Sequence, residues 1–174
     1  MASATTTTIS SFAADPVLLK AIVDAVDSCL TMCDVHARCV GVSTIPTHDP
    51  GRITGMIGVH GSVSGFITVN MAERVAMAAV GGLLQDRFEA ITSQVVDGAG
   101  EITNIIAGGI KKGLSGTQWT FSHVTVPSVI IGQNYQIAYA RGLEYLNATF
   151  EHQIEEVLLL EDRLMQVAIS LIRL

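Results

Sequence analysis

Three polar residues at helical spacing, Asp97, Glu101 and Asn104, are the part of this sequence best suited to chemistry. A helix repeats about every 3.6 residues, so positions i, i+4 and i+7 lie on one face. A carboxylate can contact a cation, and a carboxamide can both donate to and accept from a water molecule. The opposite stripe of the predicted helix is apolar and consists of Val95, Ala99, Ile102, Ile106 and Ile110.

The polar face also contains residues that weaken a helix. Ser93, Gly108 and Lys111 extend the stripe at its ends, and Gly109 follows directly. Gly costs a helix about 1 kcal/mol relative to Ala, and Asn is another weak helix former. Exposed helical faces normally use Glu, Lys and Gln, so this composition favours a helix that docks against another molecule. From these residues alone, a solvated face with ordinary polar residues remains the alternative.

The motif has a defined continuation along the chain. Asp97 is followed by three residues and Glu101, then two residues and Asn104, then twenty-two residues and Pro127. This pattern resembles the signature of the CheC/CheX/FliY phosphatases, which dephosphorylate the response regulator of bacterial chemotaxis. The resemblance covers roughly residues 15–151. The first predicted helix has no second Glu/Asn motif, so the similarity is to the single-site, CheX-like branch.

The resemblance implies a phosphatase that acts on a phosphorylated aspartate in the receiver domain of a partner protein. It implies that Asn104 orients the attacking water and that Glu101 contacts a lysine of the partner. Asp97 and Lys111 are then peripheral partner contacts, while Gly108 leaves clearance for the partner's backbone.

Further features follow from the same resemblance. Small residues at 107–109 should keep the docking surface flat, and Pro127 should end or shape a strand behind the helix without a catalytic role. Mg²⁺ is expected in the partner's receiver domain, and the protein is expected to be a homodimer joined at its sheet edges. Two alternatives remain open: a non-catalytic module of the flagellar-switch kind, and a domain that binds a receiver without hydrolysing its phosphate.

A second Glu/Asn pair shows why the full spacing matters. Glu144 and Asn147 repeat the short motif, but Ala140 and Ser170 occupy the positions where the signature has Asp or Ser and Pro. The surrounding residues alternate as in a strand, which would point the two side chains to opposite faces. This pair is therefore not predicted to form a site.

The sequence lacks the residue patterns that other kinds of site require. The five histidines form no Glu-flanked pair, and no Gly-Lys-Ser/Thr loop supports a nucleotide site. Cys29 and Cys33 share a helical face and could in principle share a metal, but with Cys39 they are better interpreted as buried, reduced core residues. We therefore expect this chain to have no metal or other cofactor of its own.

Composition limits the class of protein further. A length of 174 residues suits one domain, predicted at residues 15–174, after a disordered tail at 1–14. The net charge of −6 argues against nucleic acid or an anionic membrane as the main partner. The sequence has neither a signal-peptide pattern nor an apolar run of about 20 residues. A cytoplasmic location is expected.

Periodicity and turn residues predict the order of elements. Helices are predicted from Asp15-Pro16, at 71–84 with an Asn70–Glu73 capping box, and at 88–113. Strands are predicted near 37–45, 53–60, 63–69, 120–127, 134–140 and 143–151. The C-terminal residues 155–174 fit either a strand or a helix, and the strand is favoured. This order predicts an α+β fold in which a largely antiparallel sheet packs against the long motif helix and further helices.

Overall fold

A computed structural model describes residues 14–46, 51–132, 135, 137, 142–153 and 157–174. Within them the chain forms three α-helices, seven strands and a single 3₁₀ turn at Glu161–Arg163. In chain order the helices and strands are α1 (Pro16–Met32), β1 (Ala37–Ser43), β2 (Ile53–Gly61), β3 (Val63–Met71), α2 (Glu73–Leu84), α3 (Ser93–Gly113), β4 (Phe121–Val124), β5 (Ser128–Ile131), β6 (Glu144–His152) and β7 (Leu164–Arg173).

The strands form one antiparallel sheet in the order β1-β6-β7-β3-β2-β4, and β5 also pairs with β2. The predicted α+β fold with a largely antiparallel sheet is confirmed. β1 forms one edge, and the outer side of β2 holds β4 and β5 one after the other. The edge formed by β4 and β5 includes the segment with Pro127, which connects these two strands.

Branched apolar side chains line up across the middle of the sheet. Ile57, Ile67 and Ile169 occupy paired positions on β2, β3 and β7, and Leu146 of β6 continues the row. All four are almost completely buried. Alternation along β2 places Gly55 on the same face as Ile57, and an added Cβ at Gly55 would meet the Thr103 side chain of α3. The long helix therefore packs directly on this face.

Glycines and alanines set the position of α3 against the other helices. A Cβ on Gly109 would lie 2.8 Å from Ala25 Cβ, and one on Gly113 would lie 3.1 Å from Ala21 Cβ. The higher-numbered glycine faces the lower-numbered alanine, so α1 and α3 run in opposite directions. A Cβ on Gly98 would lie 2.5 Å from a Val80 methyl group of α2. Such close approaches leave α3 little freedom to shift.

The start of α1 is fastened to the segment that follows α3. Asp15 caps α1 as predicted, because its Oδ1 accepts hydrogen bonds from the backbone N–H groups of Val17 and Leu18. Its Oδ2 accepts a 2.8 Å bond from the Trp119 indole N–H. The guanidinium of Arg173 lies 4.4 Å from the centroid of the same indole ring. One buried tryptophan thus joins the start of α1, the segment after α3 and the last strand.

Two predicted helix starts are wrong by a few residues. The Asn70–Glu73 capping box does not form, because α2 begins at Glu73 and Asn70 still belongs to β3. The buried Asn70 carboxamide instead accepts from the Gly51 N–H at 2.8 Å and donates to the Gly51 carbonyl at 2.9 Å. The motif helix begins at Ser93 and not at residue 88, because the Thr92 hydroxyl caps it by accepting from the N–H of Val95.

The strand predictions agree with the structure except near Pro127. The strand predicted at 120–127 ends at Val124, and β5, which was not predicted, begins at Ser128. Most of the strand predicted at 134–140 lies outside the residues that the structure describes, as do residues 1–13 of the predicted tail. The final strand is confirmed as β7, and the second Glu/Asn pair lies on a strand as predicted.

The cysteines divide into two kinds. Cys29 and Cys33 are buried and free, as predicted, whereas Cys39 is exposed. The prediction for Cys39 was wrong because β1 is an edge strand with a register shift directly after this residue. No helix among the residues described is long and apolar enough to cross a bilayer.

Candidate active site

The outward face of α3 presents the predicted polar residues together. Asp97, Glu101 and Asn104 are all exposed, whereas every member of the predicted apolar stripe is fully buried. The helix is therefore oriented by its apolar side, which packs on the sheet. This packing leaves a carboxylate and a carboxamide side by side at the surface.

These three residues line one wall of a groove of about 690 Å³. Val96 and Gly100 complete the wall that α3 provides. The segment that joins β4 to β5 forms the opposite wall, with Val124, Thr125, Val126, Pro127 and Val129. One wall is thus acidic and polar, and the other is mostly apolar.

The loop at 125–127 is pinned to β2 by a reciprocal pair of hydrogen bonds. The Thr125 N–H donates to the Gly58 carbonyl at 2.9 Å, and the Gly58 N–H donates to Thr125 Oγ1 at 2.8 Å. A Cβ on Gly58 would lie 3.0 Å from the Thr125 methyl group, so the strand and the loop are already in close contact. Contacts within the protein therefore hold this wall in place without a bound partner.

Pro127 lies in the break between β4 and β5, as predicted for a residue that ends or shapes a strand, and it borders the groove beside the motif helix. A Cβ on Gly100 would lie 4.0 Å from Pro127 Cγ and 3.5 Å from a methyl group of Val129, which is ordinary contact distance. The absence of a side chain at Gly100 keeps the groove open at its base. Sequence reasoning missed this wall, although a proline within a predicted strand is a usual sign of a break in that strand.

The other predicted site residues lie outside the groove. Gly108 is exposed and nothing lies within 4 Å of an added Cβ, so this part of the surface is clear as predicted. Lys111 is partly buried one turn further along. Ala107 and Gly109 do not form the predicted flat surface, because Ala107 is fully buried and Gly109 packs against Ala25 of α1.

The two adjacent glycines should respond in opposite ways to a methyl group. Gly108→Ala should raise the free energy of unfolding by about 0.4–1 kcal/mol, since it removes backbone entropy at an open helical position. Gly109→Ala should lower it by about 1–3 kcal/mol, since its Cβ would collide with Ala25. Urea unfolding of both variants measures the difference. Equal effects at both positions would contradict this assignment of the two faces.

Both acidic side chains of the groove are available to a partner. None of the ion pairs among the described side chains includes Asp97 or Glu101. Within the part of the chain that the structure describes, no cationic residue lines the groove. Two carboxylates without a neighbouring cation favour a partner that supplies a positive charge, because such a partner would relieve their mutual repulsion.

Two buried thiols, Cys29 and Cys33, lie one helical turn apart at the C-terminal end of α1. The hydrogen bond with Cys33, burial and the nearby Glu101 carboxylate all raise the pKa of the Cys29 thiol, which therefore stays protonated. The same hydrogen bond lowers the pKa of the Cys33 thiol. The described side chains include no group of three His, Cys, Asp or Glu that could hold a metal ion.

Comparison with known proteins shows the family to which the chain belongs. The family model described as "Chemotaxis phosphatase CheX" matches residues 53–151, which is more than half of the chain and includes the whole motif. This chain belongs to the CheX family of chemotaxis phosphatases. No curated protein matches the chain.

Solved structures share the fold. The chemotaxis protein CheX from Vibrio vulnificus superposes with a TM-score of 0.75 at 20% identity, over 88% of this chain and 98% of that chain. A putative chemotaxis protein from Desulfovibrio vulgaris Hildenborough gives 0.74 at 23%, over 91% and 97%. The CheX-CheY-BeF3-Mg²⁺ complex from Borrelia burgdorferi gives 0.67 at 21%, over 88% and 97%.

Proposed function

We propose that this protein hydrolyses the aspartyl phosphate of a CheY-like receiver domain, in bacterial chemotaxis or a related two-component pathway. The observation that carries the proposal is the Glu101/Asn104 pair, exposed on a tightly packed helix in a family of chemotaxis phosphatases. The Borrelia protein of the same fold was solved together with CheY. This supports a receiver domain as the partner and a cytoplasmic location.

Asn104 is the residue we assign to the reacting water. Its carboxamide oxygen accepts a hydrogen bond from the water, and its N–H group can donate to the phosphoryl oxygens. The water oxygen attacks phosphorus as the bond to the aspartyl oxygen breaks, which releases inorganic phosphate and regenerates the carboxylate. A carboxamide does not act as a strong base, so its contribution is orientation of the attack.

Glu101 is the residue we assign to the partner's active-site lysine. A charged contact one helical turn from Asn104 would fix the carboxamide over the phosphorylated aspartate. Asp97 and Lys111 would add peripheral contacts, and the open surface at Gly108 would let the partner's backbone approach closely. Glu101 therefore acts mainly in binding and Asn104 mainly in the chemical step.

The divalent metal of this reaction belongs, in the proposal, to the acidic pocket of the receiver. A bound Mg²⁺ neutralises charge on the phosphoryl oxygens there, while this chain supplies position and orientation. Calorimetric titration should detect millimolar Mg²⁺ binding to the receiver and none to this protein. Stoichiometric metal in the purified protein, removable only with loss of activity, would contradict the assignment.

A phosphate-release assay tests the function itself. A purified receiver is phosphorylated with a small-molecule phosphodonor, the donor is removed, and phosphate release is followed with and without this protein. The phosphatase proposal requires acceleration by catalytic amounts. Binding of the receiver without acceleration would instead establish a receiver-binding or flagellar-switch-type module.

We further propose that the protein is a homodimer joined at a sheet edge. Among the described strands β1 pairs with β6 alone, and Val40 and Val42 on β1 are about half exposed. An unpaired edge with apolar side chains favours strand addition. Light scattering should report a dimer at micromolar concentration, and Val42→Lys should shift it toward the monomer. A monomeric wild-type protein would overturn the proposal.

A further inference from the structure

The loop between β4 and β5 places an apolar side chain at the rim of the groove. Val126 is 85% exposed, although the neighbouring Val124 and Val129 are partly buried. A single exposed valine is common on protein surfaces. This one differs because it continues the apolar wall formed by Val124, Pro127 and Val129.

The position of Val126 is fixed by its neighbours on both sides. Thr125 is held to Gly58 of β2 through its N–H group and its hydroxyl oxygen. Pro127 restricts the backbone on the other side, because its ring limits rotation about φ. An apolar group held in place loses little conformational entropy on binding, which is the property of an interface anchor.

The opposite wall indicates the chemistry of the occupant. Asp97 and Glu101 are unpaired with any cation among the described residues, and they face the groove across from this apolar rim. A surface that satisfies both walls must bring a cationic side chain next to an apolar one. Charge complementarity therefore favours a protein surface in which a lysine lies beside apolar residues.

We propose that Val126 is an apolar anchor that packs on the receiver domain beside the phosphorylated aspartate and raises the affinity for it. The inference rests on the proposed function, because that function places the receiver over Asn104. Glu101 and Val126 then hold the partner from opposite sides of the groove. Val126 touches the partner and not the reacting atoms, so it acts on affinity and not on the chemical step.

The test compares Val126→Ser with Ile131→Ser in the full-length protein. Ile131 is a suitable control because it is 51% exposed on the adjoining strand and does not line the groove. Phosphate release is measured against the concentration of phosphorylated receiver. Val126→Ser should raise KM about tenfold with kcat nearly unchanged. Ile131→Ser should change neither, and Val126→Leu should retain the wild-type KM.

Binding to the unreactive receiver–BeF₃–Mg²⁺ complex separates this proposal from the function. If Val126→Ser weakens binding of that complex while the wild type releases no phosphate, the anchor stands and the phosphatase proposal fails. If the wild type is active and Val126→Ser has an unchanged KM and affinity, the anchor fails and the function stands. A wild-type protein that neither binds the complex nor releases phosphate overturns both. Unchanged thermal unfolding of Val126→Ser confirms that the variant is folded.

Discussion

Asn104→Ala should reduce the rate of phosphate release from a phosphorylated receiver by at least about 100-fold, while binding of the receiver stays close to wild type. In the proposed mechanism the carboxamide interacts with water chiefly in the transition state, so its loss would lower kcat and not affinity. Single-turnover kinetics at saturating protein measures the chemical step. Calorimetry with the BeF₃–Mg²⁺ receiver measures binding.

The matched control is Gln94→Ala on the same helix. Gln94 has the same functional group and is exposed, but it does not line the groove. Both variants should leave the free energy of unfolding within about 0.5 kcal/mol of wild type, since both side chains lie at the surface. Wild-type turnover by Asn104→Ala would remove the catalytic assignment and leave the receiver-binding alternative.

Glu101→Gln should fail in a different way. The substitution keeps the shape of the side chain and removes its charge, so KM should rise about tenfold. Excess receiver should restore part of the lost rate, because the water-orienting carboxamide is still present. KM should also depend less on ionic strength, since a charged contact at the interface has been lost.

Glu89→Gln provides the matched control for charge. Glu89 is exposed in the segment before α3 and lies outside the groove. Its substitution changes the net charge by the same amount as Glu101→Gln. The comparison therefore separates the effect of net charge on KM from the loss of a direct contact with the receiver. An equal rise in KM for both variants would show that Glu101 acts only through net charge. A loss of kcat alone in Glu101→Gln would assign it to the chemical step.

The motif helix and its two faces could be predicted because both depend on local periodicity. An apolar side chain every third or fourth residue leaves few options for the orientation of a helix on a sheet. Periodicity did not show that Gly108 is open and that Gly109 is packed. Adjacent helical positions differ by about 100° in direction, and only the packed structure shows which one meets α1.

The sequence predictions were wrong where a side chain forms hydrogen bonds with a residue far away in the chain. Asn is a common residue at a helix N-cap, yet the Asn70 side chain forms hydrogen bonds with Gly51, which is nineteen positions earlier in the chain. The sequence around Pro127 alternates like a strand, and Thr125 leaves that pattern because its hydrogen bonds go to Gly58 on another strand. Spacing within a segment contains no information about such contacts.

One strand serves as the reference for both sides of the groove. Gly55 of β2 packs against Thr103 of the motif helix, and three residues later Gly58 packs against Thr125 of the loop and donates a hydrogen bond to its hydroxyl oxygen. A displacement of β2 would therefore carry both sides together and leave the distance between them unchanged. In the proposed complex the width of the groove would then be fixed by one strand, and a receiver would have to fit that width to bring its phosphorylated aspartate to Asn104. Discrimination among receivers would then require no moving part in this protein.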